Sequence, residues 1–283
     1  MQNKNDTRNG SHNLLAWTVI GLTIVLILST IFPLPTAAQS KNTATKTGEI
    51  KSLPKDLEIQ LALSALPPHL RDSATVYILN PNKGFEVANK GTNGFHTFVA
   101  RTGDDAMRGS WVFNKYRDDI IYPISFDQAG AKAIMPVFFD IAAMQAKGTS
   151  AQEVKKIIQN RYKTKFYKAP EKAGVSYMLS PILRTYTNPD ANDTVVTLSI
   201  PHIMYYSPDL SDKDIGGGTP GGQYPFIINK GAHGFSIQLL GKEERDSIKK
   251  DYANLLSKLC AINKAWCVPE IKEENAATNH DHN

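Results

Sequence analysis

Acid–base or nucleophilic chemistry needs a base, and the chain's histidines limit where one could come from. Four of the seven, His69, His96, His202 and His233, fall inside the stretch that reads as folded. None of these pairs at zinc-ligand spacing, and both His-Glu-x-x-His and Gly-x-Ser-x-Gly are missing. His202 has the richest surroundings: Pro201-His-Ile-Met-Tyr-Tyr-Ser-Pro208. Alternate residues of a strand share a face, so His202, Met204 and Tyr206 lie together, with Ile203 and Tyr205 opposite. A histidine beside a tyrosine can hold a polar ligand or pass a proton near neutral pH. The competing reading is a histidine hydrogen-bonded within the sheet. Directly after it, Asp209 to Gly222 brings three carboxylates and five glycines, Asp214 among them. This stretch lacks the Gly-Lys-Ser/Thr ending of a phosphate loop and the alternate-residue carboxylates of a calcium loop. It reads as a mobile loop over a pocket beside His202, or as a plain connection. The candidate catalytic set is therefore His202, Tyr206 and Asp214, with Tyr205 a candidate ligand contact.

A second chemistry is electrostatic. Lys147 to Lys168 carries Lys147, Lys155, Lys156, Arg161, Lys163, Lys165 and Lys168 against one acid, Glu153. Aromatic residues interleave with cations from Arg161 to Lys168, which suits an anionic ligand or surface. Lys155 and Arg161 are the candidate binding residues, although Val154, Ile157 and Ile158 claim the other side of this helix for a core. No metal site and no cofactor follow from any of these patterns.

The elements that must position these residues sit in a chain of 283 residues, 41% hydrophobic and 21% charged, with a net charge of +5. That composition excludes collagen-like, low-complexity and disulfide-dense miniprotein classes. Leu14 to Phe32 runs for 19 residues without a charge, behind Lys4 and Arg8 and ahead of Pro33, Pro35 and Thr36-Ala-Ala38. This is the layout of a secretory signal, yet the run is long enough to span a bilayer, so residues 1–38 read as a signal peptide or an N-terminal membrane anchor. Residues 39–55 form a polar tether, 56–270 a single folded domain and 271–283 a disordered tail. Exported either way, the domain belongs in the periplasm or cell envelope. Its partner would be a small molecule or an anionic envelope component, with membrane contact through 14–32. Export argues against nucleic acid.

Cys260 and Cys267 could not bond within one helix, where seven residues span ~10.5 Å. A helix ending near Asn263 lets the chain fold back and close a disulfide, and an oxidising compartment favours it. Two buried thiols are the alternative.

Within the domain, Leu57 to Leu66 reads as a helix stopped by Pro67-Pro68. Ala74 to Leu79, Phe85 to Ala88 and Phe95 to Arg101 read as three strands joined by short turns, hence antiparallel neighbours. Pro136 opens one helix, and Ser150-Ala-Gln-Glu153 forms a capping box for the next. Strands return at 174–179, 194–200, 203–206, 225–229 and 235–240, and a last helix covers about Lys242 to Leu259 with Ile248, Tyr252, Leu255, Leu256 and Leu259 on one face. Grouped strands and helices predict an α+β fold: an antiparallel sheet built from hairpins, covered on one side by about three amphipathic helices.

Ala74 to Leu79 leading into Gly91-Thr-Asn-Gly-Phe95, with Pro201 to Pro208 later, resembles a family of exported bacterial proteins of about this size without an established activity. The resemblance spans about residues 57–240. It implies that Asn93 and His202 are the positions to watch, with Asn93 a ligand contact or a turn residue; His96 departs from the family's small polar residue there. The expected function is an exported envelope protein with a ligand- or surface-binding domain; the alternative is a hydrolase or other acid–base enzyme centred on His202.

Overall fold

The computed structural model describes residues 50–102, 113–187, 194–218, 222 and 224–269. The leader at 14–32, the tether up to residue 49 and the tail from 271 lie outside the described residues. What is described is an α+β fold.

The first sheet has the order β2-β1-β3-β4, from β1 (Thr75–Asn80), β2 (Gly84–Asn89), β3 (His96–Ala100) and β4 (Tyr122–Phe126). β1 and β2 form the expected hairpin, closed at Gly84, whose φ of 94° favours glycine. β3 departs from expectation: it pairs with β1, not β2, and runs parallel to it, Thr75 opposite His96. The crossover rule is still obeyed, because the return strand β2 is itself part of the connection from Pro81 to Phe95. The chain leaves β2, passes over the start of β1 and drops in on its far side. There the Thr92 and Asn93 amides both donate to the Ser73 carbonyl, at 2.8 and 3.1 Å. Gly91 lies so close to the backbone of Ala74 that no side chain would fit.

Helices cover both faces of this sheet, where one covered face was expected. Neighbouring residues of β3 show it: Phe98 and Val99 point oppositely and both are fully buried. Val99 and Val76 pack under α1 (Lys55–Leu63) and α7 (Ala253–Ile262), with Leu57, Leu61, Leu255 and Leu259. Phe98, Ile124 and Phe126 pack against α3 (Gln128–Ala133) and α4 (Met135–Ala146), where Phe138 meets Phe98 edge-on at 5.5 Å. Each buried phenylalanine contributes roughly 1.5–3 kcal/mol to this layer. α5 (Ala151–Lys163) starts at the expected cap, the Ser150 hydroxyl accepting from the Glu153 amide, and buries Val154 and Ile158.

The second sheet, β5-β8-β10-β9, is fully antiparallel: β5 (Val175–Met178), β8 (His202–Tyr206), β9 (Phe226–Asn229) and β10 (Phe235–Leu239). β6 (Leu183–Tyr186) and β7 (Val195–Leu198) pair separately. The two large sheets meet where β4 runs beside β5, and serine hydroxyls supplement a backbone bond there, the Asp127 amide donating to the Val175 carbonyl at 3.2 Å. Ser125 Oγ donates to the Tyr177 carbonyl at 3.0 Å and Ser176 Oγ donates to the Ser125 carbonyl at 2.5 Å.

The expected last helix is two, α6 (Lys242–Asp251) and α7, broken at Tyr252. α6 buries no residue, so nothing holds it in line with α7. Beyond α7 the chain turns back and brings Cys260 and Cys267 to disulfide distance with Cα atoms 4.5 Å apart, which decides between the disulfide and the two buried thiols that the sequence left open. The loop so closed places Trp266 in the core, its indole N–H donating to the Asp119 carbonyl at 2.7 Å. Among the described residues no helix is long and apolar enough to cross a membrane.

Candidate functional site

A cleft of about 800 Å³ opens between α3, the start of α4, the first residue of β3 and the segment after α5. Its floor is apolar: Ala129, Ala131 and Ala133 of α3, then Met135 and Pro136. α3 is held in place from its first residue. The Asp127 carboxylate caps it by accepting from the Gly130 amide and, with its other oxygen, accepts from the Val175 amide of β5, both at 2.9 Å. One side chain thus ties the floor of the cleft to both sheets.

The opposite wall is the segment Phe166–Ala169 with Glu171 and Lys172. Lys165, with φ 57°, turns the chain out of α5, and the Phe166 amide donates back to the Arg161 carbonyl at 2.9 Å. Arg161 then organises the wall. Its guanidinium donates to Asp140 Oδ2 at 2.5 Å and lies over the Phe166 ring at 4.8 Å. The Tyr167 hydroxyl donates to the same Asp140 oxygen at 2.8 Å, and burial pushes this phenol well above its ordinary range. Tyr167 is consequently locked inward, whereas Phe166 is 62% exposed along the cleft.

His96 lines the cleft from β3, its Nδ1 3.0 Å from the Tyr77 hydroxyl. Phe139 meets Tyr77 edge-on at 5.0 Å and fixes the pair from behind. Burial lowers the His96 pKa and raises that of Tyr77, so near neutral pH the pair is an uncharged imidazole and a phenol. The formal charges on the cleft are Lys132, Lys168 and Lys172 against Glu171.

A smaller space of about 540 Å³ lies beneath Ile50 to Leu53, beside the β1–β2 turn. Its wall includes Glu58 of α1, a buried carboxylate that accepts from the Leu79 amide at 2.8 Å. Burial drives its pKa up to about 7, against the Leu79 hydrogen bond and the nearby Arg101.

The residues singled out by sequence do not converge. His202, Met204 and Tyr206 do share the inward face of β8, as alternation required, but that face is sealed. The space under Met204 and Tyr206 amounts to about 20 Å³, little more than one water. His202 is 3% exposed and its Nδ1–H donates to the Ile200 carbonyl at 2.7 Å. Tyr206 stands four residues along the strand, ~13 Å away. Its hydroxyl donates to the Val175 carbonyl at 3.0 Å, and its ring fits only because residues 130 and 174 are glycines. The loop of Asp214 begins beyond the Tyr206 end of β8, so it does not lie beside His202. Its Asp209 amide donates to the Gly231 carbonyl of the β9–β10 turn and the Ile227 amide of β9 donates to Asp212 Oδ1, so the loop is tied to the β9–β10 hairpin. Asp214 itself accepts from the Ser211 amide and hydroxyl, which lower its pKa.

Asn93 works within its loop, donating to the Leu70 carbonyl at 2.8 Å and accepting from the Phe95 amide at 3.0 Å. Tyr205 is exposed on the outer face of the second sheet. Lys155 is half-buried on α5, outside the cleft lining. Arg161 alone of the set reaches the cleft, as the brace behind Phe166. Among the described residues no group of three metal-ligating side chains comes together.

Sequence reasoning missed the cleft because its floor is a six-residue, alanine-rich helix with no apolar stripe to reveal it. The one legible signal was Asp127 three residues ahead of Gly130, a capping pattern.

No protein-family model matches the chain, and no curated protein or solved structure shows significant similarity to it.

Proposed function

We propose that this chain is an exported protein of the cell envelope whose α+β domain binds a ligand in the cleft over α3. The observation that carries this reading is the cleft itself. Its volume falls within the ordinary range for small-molecule sites, and a largely apolar floor faces His96, held by Tyr77, and a wall braced by Arg161 and Asp140. The support for export is the uncharged run at 14–32 behind Lys4 and Arg8, the paired cysteines and the family resemblance. Asp127, Arg161 and Asp140 spend their charge on fastening the walls, so the binding surface is pre-formed, which favours affinity by reducing ordering cost.

The test uses the neutral fluorescent probe N-phenyl-1-naphthylamine on the intact chain. Ala129→Trp, which fills the floor, should abolish saturable binding while circular dichroism stays unchanged. Undiminished binding in that variant would overturn the site. Recovery of the full-length chain as a soluble cytosolic protein would overturn export.

A further inference from the structure

The cleft's charges do not balance, and the imbalance lies on one wall. Lys168 and Lys172 stand on the segment after α5, and Lys132 faces them from α3. Lys132 and Glu171 lie 3.3 Å apart, but both side chains are more than three-quarters exposed, so their attraction is weak and leaves the wall positive. The nearest acids behind the walls are already taken. Asp140 is matched by Arg161, and both oxygens of Asp127 accept backbone amides. Across from Lys168 and Lys172, Ala129, Ala131, Ala133 and Met135 offer apolar surface, with Gln128 and Lys132 of α3 at their side, and Phe166 adds a ring on the lysines' own wall.

His96 adds a directed donor. The 3.0 Å contact between Tyr77 Oη and His96 Nδ1 does not by itself fix a direction; because a phenol donates better than it accepts, the favoured tautomer has Tyr77 donating to Nδ1 and the neutral ring's proton on Nε2. A ring fixed this way can give a hydrogen bond to an anionic oxygen without bringing a charge of its own.

Resting on the reading of the cleft as a ligand site, we infer that its ligand is an amphipathic anion: an apolar chain or ring seated on the alanines and Phe166, with an acidic head met by Lys168, Lys172 and His96. A neutral or cationic apolar ligand would bury the same body but leave the lysines unanswered.

The experiment compares two probes that share an aryl-naphthylamine body and differ in charge, the anionic 8-anilinonaphthalene-1-sulfonate and the neutral N-phenyl-1-naphthylamine. The variant Lys168→Glu/Lys172→Glu changes only exposed residues. It should weaken binding of the sulfonate by about ten-fold or more, since two attractions become repulsions, and leave the neutral probe within about two-fold. His96→Phe should weaken the sulfonate alone, by a few-fold. Equal behaviour of both probes toward the charge reversal would overturn anion selection while the cleft stands. Binding of both probes untouched by Ala129→Trp would instead overturn the cleft, and the two failures are thus told apart.

Discussion

β8 and the cleft over α3 both bring a histidine, a tyrosine and apolar side chains together, and the fold uses them in opposite ways. On β8, His202 is fastened to the Ile200 carbonyl, Tyr206 to the Val175 carbonyl, and Met204 fills the space between sheet and helices. In the cleft, His96 is fastened through Nδ1 to the Tyr77 hydroxyl while its ring lines the open space, and Phe166 is held by its backbone and Arg161 while its ring stays open to solvent. Polar chemistry that is satisfied internally stabilises a fold. Polar chemistry fixed on one side and open on the other is what a site requires. Residue type does not distinguish the two cases; the partners do.

The largest effect that could break this contrast is on stability. Met204→Ala removes a side chain that is 5% exposed, in the same core cluster as Phe126, Phe138 and Phe235 and lining with them a space of about 20 Å³. Such a truncation should cost about 2–5 kcal/mol. Phe166→Ala removes a larger side chain but an open one, and should stay within about 0.5 kcal/mol while weakening probe binding. Urea unfolding of both variants measures the difference. If Phe166→Ala were the more destabilising, the cleft wall would be core and the contrast would fail.

How far the sequence revealed these two regions follows from the periodicity each carries. β8, α4, α5 and the β1–β2 hairpin were legible because alternation, a helical stripe, a proline at the first turn or a capping box marks each. The pairing of Cys260 with Cys267 was one of two readings the spacing left open, and the turn after α7 decides for it. The parallel placement of β3 was not, since it depends on Gly91 passing over Ala74, a contact with no local signature. Nor was the break at Tyr252, where a charged α6 gives no reason to continue straight. The cleft was the least legible feature. It joins α3, β3 and the segment after α5, and only their packing makes neighbours of His96, Lys132 and Lys168.

Glu58 sharpens the contrast, because it is buried like His202 yet borders a space as His96 does. Its carboxyl releases a proton near 4.5 in the unfolded chain and near 7 in the folded one. The folded state therefore holds the proton through that window, and stability falls as pH rises from 4.5 to 7. The total loss is on the order of 3 kcal/mol, complete above about pH 7. Glu58→Gln keeps an oxygen for the Leu79 amide and has nothing to ionise. It should remove this slope and exceed the parent chain in stability at pH 8. A parent chain whose unfolding midpoint stays flat from pH 5 to pH 8 would show that Glu58 is not desolvated, and that its cavity is wet.

The smallest expected effect concerns His96. Burial sets its folded pKa below the ordinary 6.5, so the unfolded chain binds this proton more readily, and its contribution to stability is present above pH 6.5 and lost as pH falls below. An anion seated beside the ring reverses the preference, since the imidazolium gains a partner. The groups around it are Tyr77, whose phenol stays protonated, the lysines 132, 168 and 172, and Glu171. Only His96 among them ordinarily titrates between pH 6 and pH 8. Affinity for the sulfonate probe should therefore rise by about two- to three-fold as pH drops across that range, and His96→Gln should flatten the profile. The neutral probe should show no such rise in either protein. A rise that survives His96→Gln would place the titrating group elsewhere and separate His96 from the ligand.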